Sequence, residues 1–284
     1  MENLIEFLTI TTKKTQALVK RLKAFQALKA KEGLNLPVLE KNLAVIKGFL
    51  TDFPDTAVKD SVLSWYMEEA SALNKAKDEF RFNFGATLKG LLEKEGIALH
   101  GQLPMLRAGF FSLKINFDLG SAALYWGPEI ETIKTRIPLT PEEIVKAIKI
   151  FLTRLGRKEF DTAGFLKKLH RAYQRSIAAN NLSLGTKVFL VDVLPELAFL
   201  SQPDAFRLDP AKERFREYSR IQFGFDLYRL KQGEVQIVEH HKLKLSVATF
   251  DATTEKKRSL WVPDNDHGEG TYYSYIAFEP VNQN

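Results

Sequence analysis

Leu4, Leu8, Thr11, Thr15, Leu18, Leu22 and Phe25 follow one another at alternating steps of four and three residues. That period is the seam of a helix packed on another helix, and it excludes a strand, whose faces alternate every second residue. A second seam with the same spacing, Leu39, Leu43, Ile46, Leu50 and Phe53, begins beyond Gly33 and Pro37. Glycine commonly follows a helix end, and proline in a first turn costs no hydrogen bond, so the two seams predict an antiparallel helical hairpin. Thr11 and Thr15 are poor knobs for a dimeric coiled coil, which favours an intramolecular bundle over a free rod. Asp55 or Thr56 then caps a third helix carrying Val58, Val62, Trp65, Leu73, Ala76, Phe80, Phe84 and Leu88, with Gly96 as its stop.

The pattern changes at about residue 101. Phe111, Leu113, Ile115 and Phe117 alternate with Ser112, Lys114 and Asn116, the signature of a half-buried strand, and a turn at 118–121 returns the chain through Ala122 to Trp126. Thr140-Pro141-Glu142-Glu143 is a strong helix start, with a capping hydroxyl, proline at the first position and acids in the first turn. The helix it opens runs to about Leu155. Another follows from Asp161 to about 179, with Phe165, Leu169, Ala172 or Tyr173, and Ile177 on its apolar stripe. Val188 to Val193 reads as a strand, 194–200 as a short helix, and Asp209-Pro210 as the cap of a helix to about Lys231. Val235–Val238, Leu243–Phe250, Leu260–Val262 and Thr271–Phe278 read as antiparallel strands. The fold class predicted is α+β: a helical bundle over 1–100, then a mixed domain over 101–284 with a helical pair at 140–180 and strands over 234–279.

Among 284 residues there is no cysteine, which removes disulfides, thiolate metal sites, iron–sulfur clusters and a cysteine nucleophile together. No apolar run reaches the roughly 18 residues of a membrane span, and two acids precede the first lysine, unlike a signal peptide. A cytoplasmic protein with no membrane contact is expected. The net charge of +6 is uneven. The window 134–175 holds 11 basic and 4 acidic residues and so exceeds, at +7, the charge of the whole chain. Such a local field attracts polyanions.

That window supplies the candidate site. The helix from 161 presents Lys167, Lys168, Arg171, Gln174 and Arg175 at helical spacing, with Lys146 and Lys149 on the helix before it. A helix-turn-helix or winged-helix unit would use them on phosphates and, through Arg or Gln, on base edges. His170 lies beside this stripe, where positive neighbours disfavour its protonation. Leu4, Leu8, Leu18 and Leu22 would be exposed and dock a protein partner. The segment 210–231 interleaves Phe215, Tyr218, Phe225 and Tyr228 with Arg214, Arg216, Arg220 and Arg229, a pattern of base-stacking clamps and, more commonly, of a core helix.

Catalytic signals are weak. There is no phosphate loop, dinucleotide fingerprint or nucleophile elbow. The acidic run Asp264-Asn265-Asp266-His267-Gly268-Glu269 lacks the spacing of a calcium loop, and His240 and His241 point to opposite faces of any strand. No cofactor, metal ligand set or catalytic residue is assigned. The reading is a non-enzymatic nucleic-acid-associated or assembly subunit. The alternatives are a protein-only scaffold, or a metal-dependent nuclease drafting Asp226, Glu239, Lys242 and Asp251 on the C-terminal sheet.

Overall fold

A computed structural model describes residues 1–30, 36–129, 131–156, 159–233, 235–249 and 258–281. The α+β class is as the sequence predicts: helices first, then antiparallel sheets with further helices. The chain divides into two compact units. Unit 1 comprises Met1–Leu106, Lys114–Ala123 and Lys134–Ile148, and unit 2 comprises Arg107–Leu113, Leu124–Ile133 and Lys149–Asn284.

Unit 1 is built on α1 (Glu2–Lys29), α2 (Leu36–Phe49) and α3 (Thr56–Lys94). The two seams meet as expected: Leu18 and Phe25 of α1 are buried with Leu39, Leu43 and Ile46 of α2 and Leu73 of α3. Burial of such side chains contributes about 1.5–3 kcal/mol each before chain entropy is charged. Asp55 caps α3, its carboxylate accepting from the Val58 N–H at 3.0 Å. Gly96 ends α3 at φ +72°, with the Ile97 N–H reaching back to the Leu92 carbonyl, a left-handed stop for which glycine carries no Cβ penalty. Gly33, the expected stop of α1, lies outside the described residues.

Five strands form an antiparallel meander in sequence order: β1 (Leu99–Gln102), β2 (Met105–Ala108), β3 (Phe111–Asn116), β4 (Ser121–Trp126) and β5 (Glu131–Pro138). β1, β2 and β5 have no counterpart in the sequence reading. The expected alternation in β3 holds at Lys114 and Asn116 and fails at Ser112, which is buried and donates to the Gly127 carbonyl. β3 is the middle strand, and at this end of it the small hydroxyl of Ser112 is buried and satisfied.

The helix α4 (Pro141–Leu155) follows, with Thr140 Oγ1 accepting from the Glu143 N–H at 3.4 Å. Unit 2 continues with α5 (Thr162–Ala179), β6 (Val188–Phe189), α6 (Leu190–Leu200), α7 (Asp204–Leu208), a single 3₁₀ turn, α8 (Arg220–Gln232), β7 (Ile237–Val238), β8 (His241–Val247), β9 (Leu260–Pro263) and β10 (Gly270–Pro280). The second sheet has the order β6-β10-β8-β7, with β9 also paired to β10. Ile276 faces Leu245 and Phe278 faces Leu243 across β10 and β8. The core lies between this sheet and α5, α6 and α8, around Leu169, Tyr173, Leu197, Phe223, Leu227 and Phe278. Gly270 starts β10 because the Trp261 indole occupies its side-chain position: a Cβ there would fall 2.4 Å from the ring.

Two elements differ from expectation. Val188–Val193 is a two-residue strand running directly into α6, and the helix expected from Asp209-Pro210 begins ten residues later, capped by Ser219. Gln202 explains the second. Its buried amide donates to the Arg216 carbonyl at 2.9 Å and accepts the Arg216 N–H at 2.7 Å. With both backbone groups bound sideways, residue 216 cannot join a helical ladder.

Candidate functional site

The helix α5 begins on Asp161, whose carboxylate accepts from the Gly164 N–H at 2.8 Å. Its apolar stripe, Phe165, Leu169, Tyr173 and Ile177, is buried against the unit 2 core, and the helices it packs on are α6 and α8. The opposite face is thereby fixed toward solvent. Lys167, Arg171 and Arg175 stand exposed along it, each about 6 Å from the next along the axis. Lys168 and Gln174 flank them, half-buried. The 18 residues of α5 contain no aspartate or glutamate.

Among the described residues, Arg175 alone of these cations has an ion-pair partner, Glu196 at 3.6 Å, and its guanidinium lies 5.5 Å over the Phe199 ring. Like charges at i,i+4 destabilise a helix by a few tenths of a kcal/mol per pair, and Lys167–Arg171 and Arg171–Arg175 are two such pairs. An anion laid along the face relieves both. Lys149 is exposed on the part of α4 in unit 2, whereas Lys146 belongs to unit 1 and pairs with Glu143 at 3.1 Å. The five α5 residues share one face of their helix.

His170 adds no charge there. It is 1% exposed, packed 4.6 Å from the Phe278 ring, with Nδ1 3.4 Å from Glu239 Oε2 and without hydrogen-bond geometry. Burial lowers its pKa; the Glu239 carboxylate opposes the shift and nearby His241 adds to it. Desolvation, rather than the basic stripe, is the main cause. Glu239 reaches His170 from a two-residue turn between β7 and β8 in which Glu239 (φ +48°) and His240 (φ +60°) are both left-handed.

The α8 part of the Arg/aromatic segment is committed inward, whereas Arg214, Phe215 and Arg216 before it are exposed. Phe225 and Tyr228 pack on Phe110 at 5.8 and 5.3 Å. Arg229 pairs with the buried Asp226 and lies over the rings of Phe160 and Phe225. Arg220 Nε binds Glu131 Oε1 at 2.6 Å, and Arg214 binds Asp209 at 2.8 Å. A cleft of about 530 Å³ around the start of α8, lined by Arg154, Arg216, Arg220, Glu131 and Glu217, is a feature that sequence reasoning missed. Its residues come from three separate stretches of chain, and no local pattern marks them. Its two glutamates answer two of its three arginines, Arg154 and Glu217 at 3.9 Å.

The acidic run 264–269 is consumed by its own turn. Asp264 pairs with Lys231 and accepts from Thr271 at 2.7 Å, and Asn265 bridges to Glu269 at 2.6 Å. Of the four residues drafted for a nuclease, Asp226 is saturated by Tyr218, Gln222 and Arg229, and Asp251 lies outside the described residues. Among the described residues no three His, Asp or Glu side chains are grouped to hold a metal ion, and no helix is long and apolar enough to cross a membrane.

The N-terminal seam divides. Leu18 is 2% exposed in the unit 1 core, so it is not the exposed docking residue expected from the sequence and its loss would strike the fold itself; Leu22 is half-buried beside it and lines a groove. Leu4 and Leu8 are 60% and 54% exposed. Comparison with protein families, with curated proteins and with solved structures finds no match.

Proposed function

We propose that the protein is a nucleic-acid-associated assembly subunit, without catalysis of its own, that grips a sugar–phosphate backbone through the solvent face of α5 and docks protein through the first turns of α1. One observation carries the reading. α5 is an acid-free helix whose outward face is a line of cations, and among the described residues Lys167, Lys168 and Arg171 have no counter-ion. In the Arg/aromatic segment of unit 2, Arg214, Arg220 and Arg229 are already paired with carboxylates. Lys167, Arg171 and Arg175 would sit on consecutive phosphates, with Gln174 at the edge of the line able to reach a base.

The test is fluorescence-anisotropy titration of labelled duplex and single-stranded DNA over a salt series, with the double variant Lys167→Glu/Arg171→Glu beside the native protein. Phosphate binding gives affinity that falls steeply with salt, and losing two contacts flattens the logarithmic slope by about 2. Binding that is absent, or equal in the variant, removes nucleic acid from this face. It would then favour an acidic protein surface as the partner, the scaffold reading.

A further inference from the structure

α1 is electrically and sterically divided along its length. From residue 2 to 12 its only charges are Glu2 and Glu6; from 13 to 29 its only charges are Lys13, Lys14, Lys20, Arg21, Lys23 and Lys29. The acidic half presents large apolar side chains to solvent: Leu4, Ile5, Phe7, Leu8 and Ile10 are each 43–60% exposed. The basic half borders a groove. α2 packs against both α1 and α3, and between α1 and α3 a cleft of about 560 Å³ remains, lined by Val19, Leu22, Phe25, Val62 and Trp65 with Lys23 among its polar residues. Leu4 and Leu8 lie on the same face of α1 as Val19 and Leu22, so the exposed stripe and the groove form one continuous surface.

We infer that this surface is completed by a second copy of the chain, the two α1 helices running antiparallel about a two-fold axis near Thr15. In that register Leu8 of each copy meets Leu22 of the other, Glu6 comes within reach of Lys20 and Lys23, and Glu2 approaches Lys29. An isologous interface requires this self-complementarity. A parallel pair would set acid on acid and base on base. The middle of the helix suits a close crossing. Thr9, Thr11, Thr12 and Thr15 each donate the hydroxyl to the carbonyl four residues back, at 2.7–2.8 Å, which satisfies the polar atom within the helix. The inference rests on α1 as a docking element and is independent of what α5 binds.

Sedimentation equilibrium on the full chain, at concentrations up to about 0.1 mM where a micromolar dimer is fully formed, is expected to give twice the 32.4 kDa monomer mass. Leu8→Asp, at an exposed position and with unchanged circular dichroism, weakens the dimer by at least about tenfold, since the contact occurs twice. Glu6→Lys and Lys23→Glu each weaken it, and the two together in one chain restore it. Because the chain has no cysteine, Thr15→Cys oxidises to a cross-linked dimer whereas Leu8→Cys does not. A monomer at every concentration overturns the inference and passes the groove to another partner. Efficient cross-linking of Leu8→Cys, or charge reversals that fail to compensate, overturns the antiparallel register.

Discussion

The phenol of Tyr218 donates to Oδ2 of Asp226 at 2.7 Å, while Gln222 and Arg229 hold the other carboxylate oxygen. Asp226 is 5% exposed, and this set of donors allows its charge to stay inside unit 2. Tyr218→Phe is expected to lower unfolding free energy by about 1–2 kcal/mol. Arg229→Met, which strands the buried carboxylate, should cost about 3–5 kcal/mol. Urea denaturation orders the two. Burial, with the neighbouring Asp226 charge, raises the Tyr218 pKa well above the ordinary phenol value. The folded state thus holds that proton after the unfolded chain has released it, so stability falls as pH climbs above about 10. Tyr218→Phe should show a smaller alkaline loss than the native protein.

Gln202→Ala should be more damaging than the loss of an ordinary surface glutamine. The side chain is buried and binds both backbone groups of Arg216, so its loss leaves an N–H and a C=O without partners. The expected cost is about 2 kcal/mol, with faster hydrogen exchange at the Arg216 amide. A loss below about 0.5 kcal/mol, the size of an ordinary surface change, would show that water replaces the amide at no cost.

Gln202 also marks where the sequence stops being readable. The elements that follow local rules were legible: the seams of α1 and α2, the Asp55 and Asp161 caps, the Thr140-Pro141 start and the alternation leading into β10. The helix expected from Asp209-Pro210 was not, because a side chain fourteen residues earlier holds Arg216 extended. Nor was the burial of Leu18, since a four-three seam looks the same whether its partner is α2 or another molecule. The cations of α5 could be read as one face from spacing alone. What spacing could not tell is that Arg220 of α8 faces Glu131 and that Arg214, before the helix, faces Asp209.

Acid should weaken unit 2 through His170. Its pKa is lowered in the fold, chiefly by burial and further by His241, with Glu239 pulling the other way. The unfolded chain then binds this proton at a higher pH than the folded one, so stability present above about pH 6.5 is lost as pH falls through the lower folded value. Glu239→Gln removes the opposing carboxylate and should depress the His170 pKa further, read from its imidazole Cε1–H resonance. An upward movement in that variant would mean that Glu239 does not act on the ring.

The turn that carries Glu239 offers a stabilising change. Glu239 and His240 are both left-handed, a conformation that costs a residue with a Cβ about 1–2 kcal/mol and that hairpins of this kind usually give to Asn-Gly. The exposed His240 contributes its carbonyl, which accepts from the Val281 N–H at 2.8 Å, and glycine keeps that group. His240→Gly should therefore raise stability by about 1 kcal/mol. Glu239→Gly relieves the same backbone but also deletes the carboxylate that favours protonated His170, so it should gain less at acid pH, below about 6.5. Equal gains from the two variants would show that the Glu239–His170 approach contributes nothing to the fold.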